Sequence, residues 1–275
     1  MIALALGLVR ATHPLPAVAV TALVGVLAAA RDTTGATLGW IVASTAIGQA
    51  SVGWSNDYLD RDRDAAAGRG EKPLVSGDVP PRLVLGAAIA ALPISVALSV
   101  PLGVSEAGVM LAAVVSAWAY NLGLKATALS WLPYGVSFGL APVYVWLATR
   151  SGEPPPAWVV AGGAMVGVAA HLLNVLPDLE TDRAAAVRGL AHRLGVRGSL
   201  LLACGLLLGI LGLLLALGGP VDPGRAGSAS LAAGLIAGVA WAGLRGRGRL
   251  GFQITIGAAG AIVLLLVLSP SVIRS

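Results

Sequence analysis

Asn56-Asp57-Tyr58-Leu59-Asp60-Arg61-Asp62-Arg63-Asp64 places an asparagine and two aspartates at intervals of four. On a helix, residues four apart stack on one face, so Asn56, Asp60 and Asp64 converge on a common side. Three such oxygen donors make a poor salt bridge and a good site for a hard cation. Asp57 lies about 100° round the helix from Asn56 and Asp62 is likewise off that face. Both read as solvated or arginine-paired groups, with Arg61 and Arg63 as their partners. The spacing recurs: Asn174, Asp178 and Asp182 each stand 118 residues after their counterparts. Small, basic runs follow both sets, Ala65 to Gly70 in one and Ala184 to Gly189 in the other, the second displaced by one residue. The pattern predicts a diverged duplication within one domain over 1–275, its parallel halves near 1–122 and 123–275.

Composition sets the solvent. The chain is 57% hydrophobic and 11% charged, against about 25% charged residues in an ordinary soluble domain. That describes an integral membrane protein. The net charge of +5 does not mark a nucleic-acid partner, because the basic residues sit in loops between apolar runs. The single cysteine, Cys204, excludes an internal disulfide and reads as a helix-packing residue among Leu202, Ala203, Gly205 and Leu206. Met1 to Val9 is apolar but lacks a basic start and a cleavage site, so no removable signal peptide is expected.

Runs long enough to cross a bilayer, roughly 17 to 25 residues, fall near 14–30, 36–56, 82–101, 104–122, 128–148, 157–177, 198–218, 228–244 and 250–270. The expectation is an all-α, polytopic membrane protein of nine transmembrane helices. Pro14, Pro80, Pro81 and Pro154 to Pro156 precede helix starts, whereas Pro93, Pro133 and Pro142 are expected to kink helix interiors. With the amino terminus inside, Arg10, Arg61, Arg63, Arg69, Lys72, Arg82, Lys125, Arg183, Arg188, Arg193, Arg197, Arg245, Arg247 and Arg249 share the cytoplasmic side, 14 of 18 basic residues. Arg31, Arg150, Arg225 and Arg274 lie opposite. This is the bias of a cell inner membrane protein whose active-site loops are cytoplasmic. Both acidic triads end same-direction helices on that side. Nine of the 13 acidic residues occupy the two loops beginning there, against the positive-inside trend, so cations are needed to hold them.

Oxygen donors in two facing sets match Mg²⁺, which is bound at about 2.0–2.1 Å and shares its shell with substrate phosphates. With cysteine and histidine scarce, zinc does not fit. Asn56, Asp60, Asp64, Asn174, Asp178 and Asp182 are the candidate metal ligands, and Arg69, Lys72 and Lys125, then Arg188 and Arg10, the cations for a diphosphate's outer oxygens. In a membrane the matching partner is a lipid with a diphosphate head and a hydrocarbon tail. Charge developing on the leaving diphosphate needs metal and lysine, and the carbocation left behind needs a dry, aromatic cavity. Trp54, Tyr58, Trp118, Tyr120, Trp131, Tyr134, Tyr144 and Trp146 are available. His171, three residues before Asn174, is placed to orient an acceptor hydroxyl, to act as base, or to pack as a hydrogen-bonded histidine.

The first stretch resembles the NDxxDxxxD signature of the UbiA superfamily of intramembrane prenyltransferases. Lys72-Pro73-Leu74-Val75-Ser76-Gly77 is similar to the family's basic loop, Tyr120 to Lys125 to its tyrosine-to-lysine element, and Asp178 with Asp182 to its second DxxxD. The resemblance implies a helical bundle around a central cavity and Mg²⁺-dependent transfer of a prenyl chain to a lipophilic, often aromatic, acceptor. It implies Asp60, Asp64, Asp178, Asp182 and Lys125 as catalytic residues, with Tyr120 at the diphosphate. Ala126 and Asn174 depart from the pattern, standing where relatives have a second basic residue and an aspartate. A membrane terpene cyclase shares the ionisation step. A phosphoribosyl-type transferase and a transporter are the remaining readings, the last disfavoured because the acids stand at helix ends beside bases.

Overall fold

The computed structural model describes residues 2–33, 35–149, 153–184 and 187–273. Arg150, Ala185, Ala186 and Arg274, and the side chains of Arg183 and Ala184, lie outside the described residues. The elements are α1 Ile2–Ala11, α2 Pro14–Ala29, α3 Gly35–Ala66, α4 Pro73–Ser76, α5 Pro81–Ser99, α6 Val104–Leu122, α7 Leu132–Thr149, α8 Ala157–Val175, α9 Leu179–Ala184, α10 Leu190–Leu217, α11 Pro223–Leu244, α12 Gly248–Val267 and α13 Pro270–Ile273. Single 3₁₀ turns cover Leu124–Ala126 and Leu176–Asp178.

Nine of these helices, α2, α3, α5, α6, α7, α8, α10, α11 and α12, have 16 residues or more and fall on the nine apolar runs. Each packs against its successor in that order, and α12 returns to α2, closing a ring. Five of them, α5, α8, α10, α11 and α12, are long and apolar enough to cross a bilayer, and α1 with α2, bent by 65°, would make a sixth. The helices α3, α6 and α7 are not among these, and they contribute Asn56, Asp60, Tyr120, Asn121, Tyr134 and Ser137 to the interior.

Helix boundaries follow proline and charge. Pro14, Pro81 and Pro223 begin α2, α5 and α11, where a missing N–H costs nothing. Pro133 also sits in a first turn, that of α7, so it does not interrupt a helix as expected of it. Pro177 cannot donate to a continuing helix, and α8 ends at Val175. The helix α3 runs ten residues past its expected end at 56. The first triad therefore stands on unbroken helix, while the second is split across α8, the 3₁₀ turn and α9.

Small residues decide how near the helices come. A Cβ at Gly167 of α8 would lie 2.4 Å from the Tyr134 carbonyl oxygen, so α8 and α7 touch backbone to backbone there. Gly53 of α3 meets the bend between α1 and α2 in the same way, 2.4 Å from the Thr12 carbonyl oxygen. Next to Thr12, His13 turns the chain in the left-handed region at φ 54°. At the far end of α10, the fully buried Arg225 donates to the carbonyls of Leu214, Gly219 and Pro220 and so satisfies acceptors left at the helix terminus.

Gly53→Ala should push α3 off the α1–α2 bend. The expected loss is about 1–3 kcal/mol, as for other overpacked sites, read as a lower unfolding midpoint in detergent with helix content retained.

Candidate active site

One cavity of about 340 Å³ opens inside the ring, lined from α2, α3, α6, α7, α8, α10 and α12. All six residues of the two triads line it: Asn56, Asp60 and Asp64 from α3, and Asn174, Asp178 and Asp182 from the α8–α9 segment. Arginines join the two sets. Arg69 donates to Asp64 Oδ1 at 3.1 Å and to Asp178 Oδ1 at 2.6 Å, and Arg63 lies 2.7 Å from Asp60 and 4.0 Å from Asp182. Lys125, delivered by the 3₁₀ turn after α6, donates to Asp60 Oδ1. Burial pushes the Lys125 ammonium below the usual lysine range, against the pull of Asp60. Burial likewise raises the Asp182 carboxyl, against the pull of Arg63.

The lining carries four carboxylates, Asp60, Asp64, Asp178 and Asp182, and four bases, Arg63, Arg69, Lys72 and Lys125. Each carboxylate has an arginine or lysine within 4.0 Å. Accordingly, no three acidic, histidine or cysteine side chains among the described residues are grouped as a bound ion would hold them. The donor set itself is all oxygen, carboxylate and carboxamide, with no thiol among the lining residues.

Below the charges the wall is aromatic. The Tyr120 and Tyr134 rings meet edge to face at 5.2 Å, His171 sits 5.0 Å from Tyr134 and 5.6 Å from Tyr120, and Phe138 stacks on Tyr134 at 6.3 Å. Nε2 of the buried His171 is 3.0 Å from Ser130 Oγ, which also accepts the Leu190 N–H at 2.8 Å. Its Nδ1 has no hydrogen-bond partner among the described residues. Asn121 ties α6 to α3, donating to Val52 O and Ser55 Oγ and accepting from Asn56.

Several expectations need correction. Asp57 is neither solvated nor arginine-paired: it is buried, with His13 at 2.8 Å and Lys72 at 2.5 Å. Arg61 does pair with Asp62, at 3.4 Å, but Arg63 turns inward. Arg10 and Arg188 lie outside the lining; Arg10 binds Asp78 and the Glu71 carbonyl at the surface, and Arg188 is exposed. Of the eight aromatics named from sequence, Tyr120 and Tyr134 line the cavity. Trp54, Trp118 and Tyr144 instead hydrogen-bond between helices, and Arg31 lies over Trp146 at 4.0 Å.

All three histidines of the chain line the cavity. His13 and His192 escaped the sequence reading, as did Arg63's inward role. Arg63 follows Asp60 by three, a helical pairing distance that was there to be read. His192 reaches Asp182 at 3.5 Å only through tertiary packing, which no local pattern reports.

Residues 18–251 match the UbiA prenyltransferase family. The chain belongs to that family. Over 129 residues it is 30% identical to the 4-hydroxybenzoate octaprenyltransferase of Herminiimonas arsenicoxydans, a match spanning 46% of this chain and 45% of that relative's length. The fold of this UbiA family member is that of the apo UbiA homolog from Aeropyrum pernix K1, with a TM-score of 0.76 at 19% identity over 92% of this chain and 97% of that one. It is also that of the UbiA homolog from Archaeoglobus fulgidus bound to GPP and Mg²⁺, with a TM-score of 0.64 at 15% identity over 94% and 99%.

Arg69→Gln should loosen the segment between α3 and α5 that carries α4. Amide hydrogen exchange over residues 68–80 is expected to rise about tenfold with the bundle's core protection unchanged.

Proposed function

We propose that this chain is a Mg²⁺-dependent intramembrane prenyltransferase that ionises an allylic isoprenyl diphosphate and passes the prenyl group to a lipophilic, aromatic acceptor. One observation carries the reading: two Asn/Asp triads face each other across a single cavity whose wall turns from charged to aromatic to apolar. Past the aromatic rings, Val20, Leu23, Phe138, Val166 and Ala259 also line an adjoining apolar space of about 100 Å³. That space suits the hydrocarbon tail.

In this reading Arg63 and Arg69 turn from the carboxylates to the incoming diphosphate, freeing the triads to hold Mg²⁺. The metal, when bound, supplies positive charge against the negative charge building on the leaving group. Lys72, Arg69 and Lys125 donate to the outer diphosphate oxygens, and Tyr120 borders them. The faces of Tyr120, Tyr134 and Phe138 attract the allylic cation and keep water from it. With Nε2–H donated to Ser130, His171 presents an Nδ1 lone pair to an acceptor hydroxyl. The net balance of lining charges favours entry of metal and diphosphate together, since either alone leaves a buried excess.

The nine long helices form nine spans of the cell inner membrane, amino terminus and site loops cytoplasmic. The 14-to-4 division of basic residues supports this. The shared motif spacing supports two parallel halves in one domain.

Asp60→Asn and Asp178→Asn should each cut turnover at least about a hundredfold with folded yield retained, and chelating Mg²⁺ should do the same. Assay of the purified protein with geranyl, farnesyl and geranylgeranyl diphosphates should give no hydrocarbon product without an acceptor, and a prenylated product once an acceptor is added. Hydrocarbons formed without acceptor would replace this reading by a membrane terpene cyclase. Ala259→Trp, at the junction of the two spaces, should spare the shortest diphosphate and depress use of the longest about tenfold.

A further inference from the structure

Of the two acids of the first stretch that the proposed chemistry leaves over, Asp62 is exposed beside Arg61 and Asp57 is buried. Its side chain is 1% exposed, and among the described residues it is not part of the cavity lining, unlike Asn56, Asp60 and Asp64 on the same helix. A buried carboxylate is unfavourable unless paired, and the two groups that pair it both line the cavity. Lys72 Nζ lies 2.5 Å and His13 Nε2 2.8 Å from the same oxygen, Oδ1. The two nitrogens are 3.4 Å apart, and Oδ2 has no hydrogen-bond partner among the described residues. The partners come from different elements: His13 from the bend between α1 and α2, and Lys72 from the segment leading into α4.

Lys72 has a rival acid. Its ammonium is 3.9 Å from Asp64 Oδ2, a carboxylate of the first triad. An ammonium has three donors. One donated to Asp57 anchors it and leaves two for the cavity; one lost to Asp64 would cover an oxygen needed by a divalent ion. His13 is held at φ 54° and ψ 68°, a left-handed conformation unfavourable for a residue with a Cβ. The contact with Asp57 is what its side chain gains there.

We propose that Asp57 is a positioning residue, a carboxylate behind the cavity wall that aims Lys72 and His13 into the headgroup site and keeps Lys72 off Asp64. The proposal rests on the reading of Lys72 as a diphosphate donor. Asp57 itself touches neither metal nor substrate. Its effect is on how well the diphosphate is held, not on ionisation once it is bound.

The test uses full-length protein in nanodiscs with Mg²⁺, measuring inhibition by inorganic diphosphate, KM and kcat for geranyl diphosphate, and the unfolding midpoint. Asp57→Asn keeps the shape and removes the charge. It should raise the inhibition constant and KM about tenfold, the scale of one charge-assisted contact, with kcat within about threefold. Lys72→Met should do the same. The double variant should be no worse than Lys72→Met alone, because both changes remove one device. If Asp57→Asn alone fails to fold, the double variant still decides, since it removes the Lys72 ammonium that the single change leaves without its carboxylate while the carboxamide keeps His13 as a neighbour. Additive losses in the double variant, or an Asp57→Asn protein with a lowered midpoint and an unchanged inhibition constant, would make Asp57 a structural residue only. An unchanged inhibition constant in Lys72→Met would overturn instead the headgroup reading of Lys72.

Discussion

Four carboxylates around one cavity in an apolar bundle are the constraint on which the structure depends. Unit charges 4 Å apart interact by about 4 kcal/mol at an effective dielectric of 20, and acids brought together from α3 and the α8–α9 segment repel unless bases are interleaved. Arg69 lies between Asp64 and Asp178, and Arg63 between Asp60 and Asp182. These two bridges hold the two sides of the ring at one mouth. They also bring the segment after α3 across that mouth, because Arg69 belongs to it.

The aromatic layer is set by backbone contact rather than by charge. Gly167 lets α8 approach α7 at Tyr134, and that approach brings His171, one turn further along α8, against the Tyr134 and Tyr120 rings. A larger residue at Gly167 would meet the Tyr134 carbonyl and the Phe138 ring together. The packing of two helices thus fixes the lateral position of the Tyr134 and Phe138 rings, two of the three that meet a proposed carbocation, and of His171 beside them. Asn121 does the corresponding work between α6 and α3, tying the helix that presents Tyr120 to the one that presents the first triad.

The length of the apolar runs made the helices legible, and the helical spacing of four made the triads visible as faces. The apolar runs found all nine long helices, and a spacing of four found six residues that line one cavity. The reading failed where neighbours in space decide. Asp57 looked solvated or arginine-paired because it stands off the face of the first triad, yet the α1–α2 bend and the segment carrying Lys72 cover it. Arg10 and Arg188, named as further candidates for the outer diphosphate oxygens, are not among the residues that line the cavity, Arg10 being paired with Asp78. Trp54, Trp118 and Tyr144 show the same limit: an aromatic on the right helix satisfies a polar neighbour on the next one as readily as it lines a cavity.

The two triads share their spacing but not their geometry, and the difference follows from one residue. Nothing in Asn56 to Asp64 interrupts α3, so its three side chains project from one rigid face. Pro177 stands between Asn174 and Asp178 and converts the corresponding helix into a 3₁₀ turn followed by α9. The second set therefore runs from α8 through the 3₁₀ turn into α9 instead of along one unbroken α-helical face. A rigid set opposed by a set built on a turn can adjust its separation without moving either bundle helix. Such adjustment is what a site needs if arginines span the gap in one state and a larger metal–diphosphate group spans it in the other.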